Sequence, residues 1–304
     1  MKTHWDLYCK IGIVHGMVFP ECIAGEGPIL ETLTKIAEDG FFSAVDYGGC
    51  KDKSIKGDVA ALLKSSRLTV NFSAQPALLL PKLNLNALDD ELRNKSIQVI
   101  KSAIDEAYEI GAEYLTVLSG PYPGDADSAR GMALLIDSLK QLCEYAKGQG
   151  NLTLVLEIFD RDIDKKSLIG PSEAAVELAK AVREAGYPTF GLMHDLSHLP
   201  LLYETPAHAL STTKDYLTLV HLGNCVLDQS NPLYGDLHPI FGVEGGANDA
   251  KELAEYLKAL FDIGYLSEGK RPFVSFEVKP YGNETSEMAI ANVKRTLKEA
   301  WTQV

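Results

Sequence analysis

The sequence predicts an α/β protein: a single (β/α)8 TIM barrel over residues 1–304, with its site at the C-terminal ends of the strands. Three observations carry this reading. Short apolar or β-branched runs alternate strictly with segments of helical periodicity. Several strand runs are nearly continuous in apolar residues, as strands buried on both faces must be. No Pro/Gly/Ser linker or shift in composition divides the chain, and an α/β barrel commonly needs about 250 residues.

The strand runs, in order, are CKIGIVHG (9–16), FSAVDYG (42–48), LTVNFSAQ (68–75), YLTVLSG (114–120), LTLVLEIF (152–159), TFGLMHD (189–195), LTLVHLGN (217–224) and PFVSFEV (272–278). Helical stretches at 29–39, 54–66, 89–110, 128–147, 171–185, 249–262 and 286–301 fall between and after them, and 205–213 is the shortest. Punctuation supports the longer helices. Asp89 precedes a run in which Ile97, Ile100, Ile104 and Tyr108 recur at three or four residues, and Gly111 ends it. Pro171 opens the helix that Gly186 closes, the usual order of proline at a start and glycine at an end.

Composition narrows the class. The chain is 46% hydrophobic and 23% charged, with a mean hydropathy of −0.04, which suits a globular protein with a sizeable core. A formal net charge of −13 argues against a nucleic-acid partner, because sequence-independent affinity for nucleic acid comes from Lys and Arg neutralising phosphates. The five cysteines are odd in number and scattered, so reduced, buried thiols in a cytoplasmic protein are expected. The first residues lack a long apolar core after a basic start, and no run approaches the length of a membrane span. No phosphate-cradling Gly-rich loop and no NAD fingerprint occurs, so no organic cofactor is expected.

In such a barrel the site lies at the carboxyl ends of the strands, so the residues there are the test. The fifth strand run contributes Glu157, the sixth Asp195, the seventh His221 and the eighth Glu277. Any one of these alone suits an ion pair or a hydrogen-bonded core residue. Together, three carboxylates desolvated in one barrel mouth repel one another unless a cation or a shifted protonation relieves them. Three oxygens and one imidazole nitrogen suit one divalent cation, Mn, Mg, Co or Zn, with positions left open for substrate.

The stretch GLMHDLSHLP (191–200) resembles a His-x-x-x-His metal helix at first sight. It leads out of a strand and meets Pro200, so no helix is expected to align His194 with His198. Neighbours in a strand face opposite ways, so Asp195 is read as the ligand and His194 as a packing residue. His198 is expected in the following loop, bent back over the mouth. Asp236 and His238 in NPLYGDLHPIFGVEGGAND form a second cluster, set to point the same way from an extended loop. His15, at the end of the first strand, is a candidate substrate contact.

Glu, then Asp-x-x-His, then His, then Glu at the fifth to eighth strands resembles the xylose isomerase-like TIM-barrel superfamily. Its members include sugar phosphate isomerases/epimerases, ketose 3-epimerases, inosose dehydratases and isomerases, and the endonuclease IV branch. The resemblance covers essentially the whole chain. It implies that Glu157, Asp195, His221 and Glu277 hold one divalent cation, that Glu157 and Glu277 exchange the proton at the inverted carbon, and that His198 contacts substrate. The ketose 3-epimerases carry a second glutamate a turn after the first and an arginine after the histidine. Here those stretches read EIFDRDID and HLGNCVLDQ, leaving Asp162 or Asp164 as stand-ins for the glutamate. His198, Asp236 and His238 match residues that bind an additional zinc in the endonuclease IV branch, which implies a second cation. The histidines of that branch at strands three and four are replaced by Asn71, Ser73, Gln75 and Ser119.

The expected activity is divalent-metal isomerisation or epimerisation of a small sugar, ketose or polyol, with proton transfer through a metal-stabilised enediolate. His198 and His238 would orient hydroxyls or shuttle protons. The alternatives are an inosose-type dehydratase, an endonuclease IV-like phosphodiesterase and a non-catalytic sugar-binding barrel. A small-molecule partner, a homo-oligomer and no membrane association complete the expectation.

Overall fold

The computed structural model describes residues 3–304. Its eight strands are β1 Lys10–Ile13, β2 Ala44–Tyr47, β3 Thr69–Ser73, β4 Tyr114–Leu118, β5 Thr153–Glu157, β6 Gly191–Asp195, β7 Leu217–Gly223 and β8 Phe273–Glu277. All pair in parallel in the order β1-β8-β7-β6-β5-β4-β3-β2. The ends of that order meet where Val14 bridges Asp46 and the Ser43 N–H donates to the Ile11 carbonyl at 2.8 Å, closing a TIM barrel.

The strand period of two sorts the side chains into two cores. Outward residues such as Ile11, Leu154, Leu156, Leu192, Val220 and Phe276 pack beneath the surrounding helices. Inward residues Ala44, Val155, Met193, Leu219 and Phe273 form a separate cluster that plugs the barrel. Fully burying a side chain of this size contributes about 1.5–3 kcal/mol. Two residues further along the same inward faces stand Asp46, Glu157, Asp195 and His221. The plug therefore serves as the floor from which the polar residues rise.

The outer helices are Ile29–Glu38, Lys56–Ser66, Asp90–Ile110, Asp125–Lys147, Ser172–Glu184, Pro206–Thr213, Ala250–Asp262 and Ser286–Trp301. Asp89 caps its helix by accepting from the Leu92 N–H at 2.7 Å, and Gly111 ends it in the left-handed region at φ +74°. The helix expected at 128–147 begins earlier, at Asp125, because its polar first turn carries no apolar period. Residues 205–213 do form a helix, with Thr205 as its cap.

Two differences fall at the site. The third strand stops at Ser73, and Gln75 opens a short helix, Gln75–Leu79, with Pro76 in its first turn. His198 is not in a loop but begins the short helix His198–Leu202; Pro200 is accommodated because a first turn needs no donor there. His194 remains on the strand, so the two histidines still share no helix face. No helix among the described residues is long and apolar enough to cross a membrane, and all five cysteines are free and buried.

Candidate metal centre

Four expected ligands converge at the top of the floor. One ligand atom from each of Glu157, Asp195, His221 and Glu277 lies within 4.8 Å of the others. The His221 Nδ1 is 2.7 Å from Glu277 Oε2, 3.7 Å from Glu157 Oε1 and 3.9 Å from Asp195 Oδ2. Parallel pairing creates this convergence by placing Asp195 opposite His221 and Gly223 opposite Glu277. Glu157, Asp195 and His221 are fully enclosed, while Glu277 keeps 15% of its side chain exposed.

The donor set fits a divalent cation on a specific observation. Glu157 Oε1 and Asp195 Oδ2 are buried and accept no hydrogen bond from the described residues. Buried carboxylate oxygens without a donor are costly, and a cation between them and the ring nitrogen removes that cost. Their partner oxygens are already committed. Glu157 Oε2 accepts from the Gln75 side-chain N–H at 2.7 Å, and Asp195 Oδ1 accepts from the Ser197 N–H at 2.6 Å.

A layer beneath fixes the ligands. His221 Nε2 lies 3.1 Å from Asp46 Oδ1, which also accepts from Asn71 at 2.5 Å and Ser73 at 3.4 Å. Thr116 Oγ1 donates to the Gln75 oxygen at 3.0 Å, so the amide presents its N–H to Glu157. Asp46, Asn71 and Gln75 were not singled out as metal-supporting residues in the sequence. Asp46 carried a readable signal, since it follows Ala44 on an apolar strand as Glu157 follows Val155. Gln75 carried none, because its position depends on the short helix.

Burial and charge divide the carboxylates. Burial, followed by the charge of Glu277, pushes Glu157 up to about 7. Asp195 is raised by burial as well. Burial acts to raise Glu277 too, but the His238 and His221 rings outweigh it and hold Glu277 down to about 2. For His221, burial opposes the charged ring, yet Asp46 and Glu277 prevail and raise it well above its ordinary value.

The second cluster adjoins the first. His198 Nε2 and His238 Nε2 lie 3.2 and 2.9 Å from Asp236 Oδ1. His238 is not extended; its backbone sits at φ +52°, a left-handed conformation that turns the ring back toward Asp236. Gly223 makes room, because a Cβ there would stand 2.8 Å from His238 Nδ1 and 2.9 Å from Asp195 Oδ1. His198 Nδ1 lies 2.7 Å from the Ile158 carbonyl, which directs Nε2 to Asp236. Burial lowers both rings, but Asp236 outweighs it and brings His198 to about 10 and His238 to about 9.

His15 requires correction. It is 2% exposed, does not line the cavity, and its Nε2 meets Thr32 Oγ1 at 2.8 Å, so substrate contact is withdrawn. Asp162 and Asp164 do not replace the missing glutamate in the floor: Asp162 is exposed, and Asp164 Oδ2 accepts from the Asp236 N–H at 3.0 Å. His194 is buried with its Nε2 3.5 Å from Ser172 Oγ, as a packing residue would be.

A cavity of about 230 Å³ opens over Glu157, His221 and Glu277, with Asp195 enclosed behind them. Val14, Met17, Phe159 and Leu237 form its apolar walls, while Lys165 and Lys279 bring positive charge. Such a space admits a small polar molecule to the metal-ligand oxygens while apolar walls restrict water.

No curated protein matches the chain. Among solved structures, a zinc-bound IOLI protein is similar with TM-score 0.74 at 18% identity, covering 97% of this chain and 98% of that one. An L-ribulose 3-epimerase gives TM-score 0.72 at 18% identity, covering 97% and 96%. The 3-keto-D-glucoside 4-epimerase YcjR from E. coli gives 0.68 at 18% identity, covering 95% and 99%. These likenesses extend over whole chains and concern the fold. The family model described as xylose isomerase-like TIM barrel matches residues 39–299, and the chain belongs to that family.

Proposed function

We propose that this protein is a divalent-metal-dependent isomerase or epimerase of a small sugar, ketose or polyol. The carrying observation is the pair Glu157 and Glu277, two glutamates on separate strands that converge with Asp195 and His221 within 4.8 Å and both line the cavity. Two carboxylates facing one small pocket are suited to acid and base roles at one carbon. The similarity to sugar epimerases supports the same reading.

Glu157, Asp195, His221 and Glu277 would hold the cation. When bound, it would polarise a carbonyl and stabilise the charge left after proton loss. The remaining work belongs to the chain. Glu277, ionised and at the cavity edge, takes the proton next to the carbonyl. Glu157, held by Gln75, returns a proton from the other strand. His198, with both ring nitrogens committed, and His238 hold Asp236 at the cavity wall, where Asp236 and His238 would meet a substrate hydroxyl. The apolar wall keeps competing water from the reactive carbon.

The test is deuterium incorporation by NMR in D₂O, with Mn- or Mg-loaded protein and a panel of ketoses, aldoses and inososes. Exchange beside a carbonyl, lost in Glu277→Gln, is expected. Turnover without exchange would indicate hydride-shift chemistry, and product that has lost water would indicate a dehydratase. No conversion of any sugar would remove the reading.

A further inference from the structure

The Asp236 cluster has three nitrogens around one carboxylate, and one of them is a lysine. Lys165 Nζ lies 3.0 Å from Asp236 Oδ2, on the side away from the two histidines that meet Oδ1. We propose that Lys165 is a built-in cation occupying the place of a second divalent ion, so that the protein binds one metal per chain. This rests on the metal reading above and decides its stoichiometry.

The loop after β5 is constructed to deliver that ammonium. Asp160 is fully buried, and its carboxylate accepts from the backbone N–H groups of Ile163, Asp164 and Lys165, each at 2.8 Å. The ring of contacts holds the tip in one conformation. Asp164 then pairs with Lys165 Nζ at 3.0 Å while accepting from the Asp236 N–H, also at 3.0 Å. The ammonium thus bridges two carboxylates and lies 3.5 Å from the Asp236 carbonyl. The ammonium donates to Asp164 Oδ2 and to the Asp236 carbonyl, and Asp236 Oδ2 stands beside it as an ion-pair partner. Lys165 is therefore a structural charge and not a substrate clamp, although it lines the cavity.

A second metal here would be held by the His198 and His238 rings with Asp195, beside the Asp236 carboxylate that both rings and the ammonium already meet. Asp236 already has its charge balanced, and an incoming divalent ion would meet the ammonium across a shared carboxylate. Repulsion at that range in a buried setting is strong. Among the described residues no lysine or arginine pairs with the Glu157–Asp195–His221–Glu277 group, so the first ion meets no built-in competitor there.

The experiment is metal titration of the whole protein with Co(II) and Mn(II), read by elemental analysis after desalting and by EPR. Wild type is expected to saturate at one equivalent and to give the spectrum of an isolated Mn(II) ion. Lys165→Met, which keeps length and removes charge, is expected to take two equivalents and show exchange coupling between them. Two ions in wild type, or one in a folded Lys165→Met, would overturn the proposal. Should that variant not fold, the wild-type count alone still decides between one and two. A wild type that binds none overturns the metal reading itself, an outcome distinct from either.

Discussion

His221 Nε2 meets Asp46 Oδ1 at 3.1 Å, joining β7 to β2, strands that do not pair with one another. The contact fixes which ring nitrogen is free. With Nε2–H donated to Asp46, Nδ1 faces Glu157, Asp195 and Glu277. A carboxylate behind a ligating histidine sets its tautomer and raises its basicity.

Asp46→Asn is therefore expected to weaken metal affinity by about 10- to 100-fold while the barrel stays folded. Competition against a calibrated chelator, with circular dichroism as the control, measures it. Unchanged affinity would deprive Asp46 of its positioning role.

Gly223 bears on both clusters at once. Gly223→Ala sets a methyl 2.8 Å from His238 Nδ1, 2.9 Å from Asp195 Oδ1 and 3.1 Å from the Glu277 carbonyl. Overpacking of this kind costs about 1–3 kcal/mol, and metal content should fall with it. Gly57→Ala is the control, since nothing lies within 4 Å of its Cβ. Denaturant midpoints and metal analysis of the two variants should diverge.

Metal capture should depend on pH in a defined direction. Asp46 and Glu277, against the opposing effect of burial, hold a proton on the metal-free His221 ring. Binding through Nδ1 must release it, so affinity rises with pH and protons leave on binding. Calorimetry in two buffers of different ionisation enthalpy counts them. Affinity that stays flat between about pH 6 and pH 9 would contradict the assignment of His221 as ligand.

His15 contributes to stability and not to the reaction. Burial lowers its pKa from 6.5 to about 4. As pH falls below 6.5 the unfolded chain takes the proton first, so the native state loses stability on the way down to about 4. The contribution is full above 6.5 and amounts to about 3 kcal/mol. His15→Phe should flatten the stability-versus-pH curve in that window, measured by urea unfolding, and an unaltered slope would count against this account.

Much of the floor was readable because the strand period of two is rigid. Val155 predicts the direction of Glu157, Met193 that of Asp195, and Leu219 that of His221, since each pair shares a face by covalent geometry. Asp46 obeys the same rule after Ala44 and was available to the same logic. The turn at 125–127 escaped because Ala126, small and flanked by two aspartates, is too isolated to mark a period.

The residues that escaped lie where the chain leaves its strands. Gln75 reaches Glu157 only because a short helix starts at that residue, and His15 turns to Thr32 because another helix starts there. His238 faces Asp236 through a left-handed backbone at a non-glycine residue, which no local pattern announces. Lys165 is one lysine in a charged loop until Asp160 folds that loop and Asp164 and Asp236 receive the ammonium.

By itself, the sequence determined the barrel, its strand order of chemistry and the four side chains that rise from the floor, because alternation and burial are local and periodic properties. Only the tertiary structure decided which nitrogen of His221 faces its partners, which residues stand behind them and which charge occupies the neighbouring cluster. Those contacts join residues such as Asp46 and His221, 175 positions apart, and closure of the sheet is what brings them within hydrogen-bonding distance.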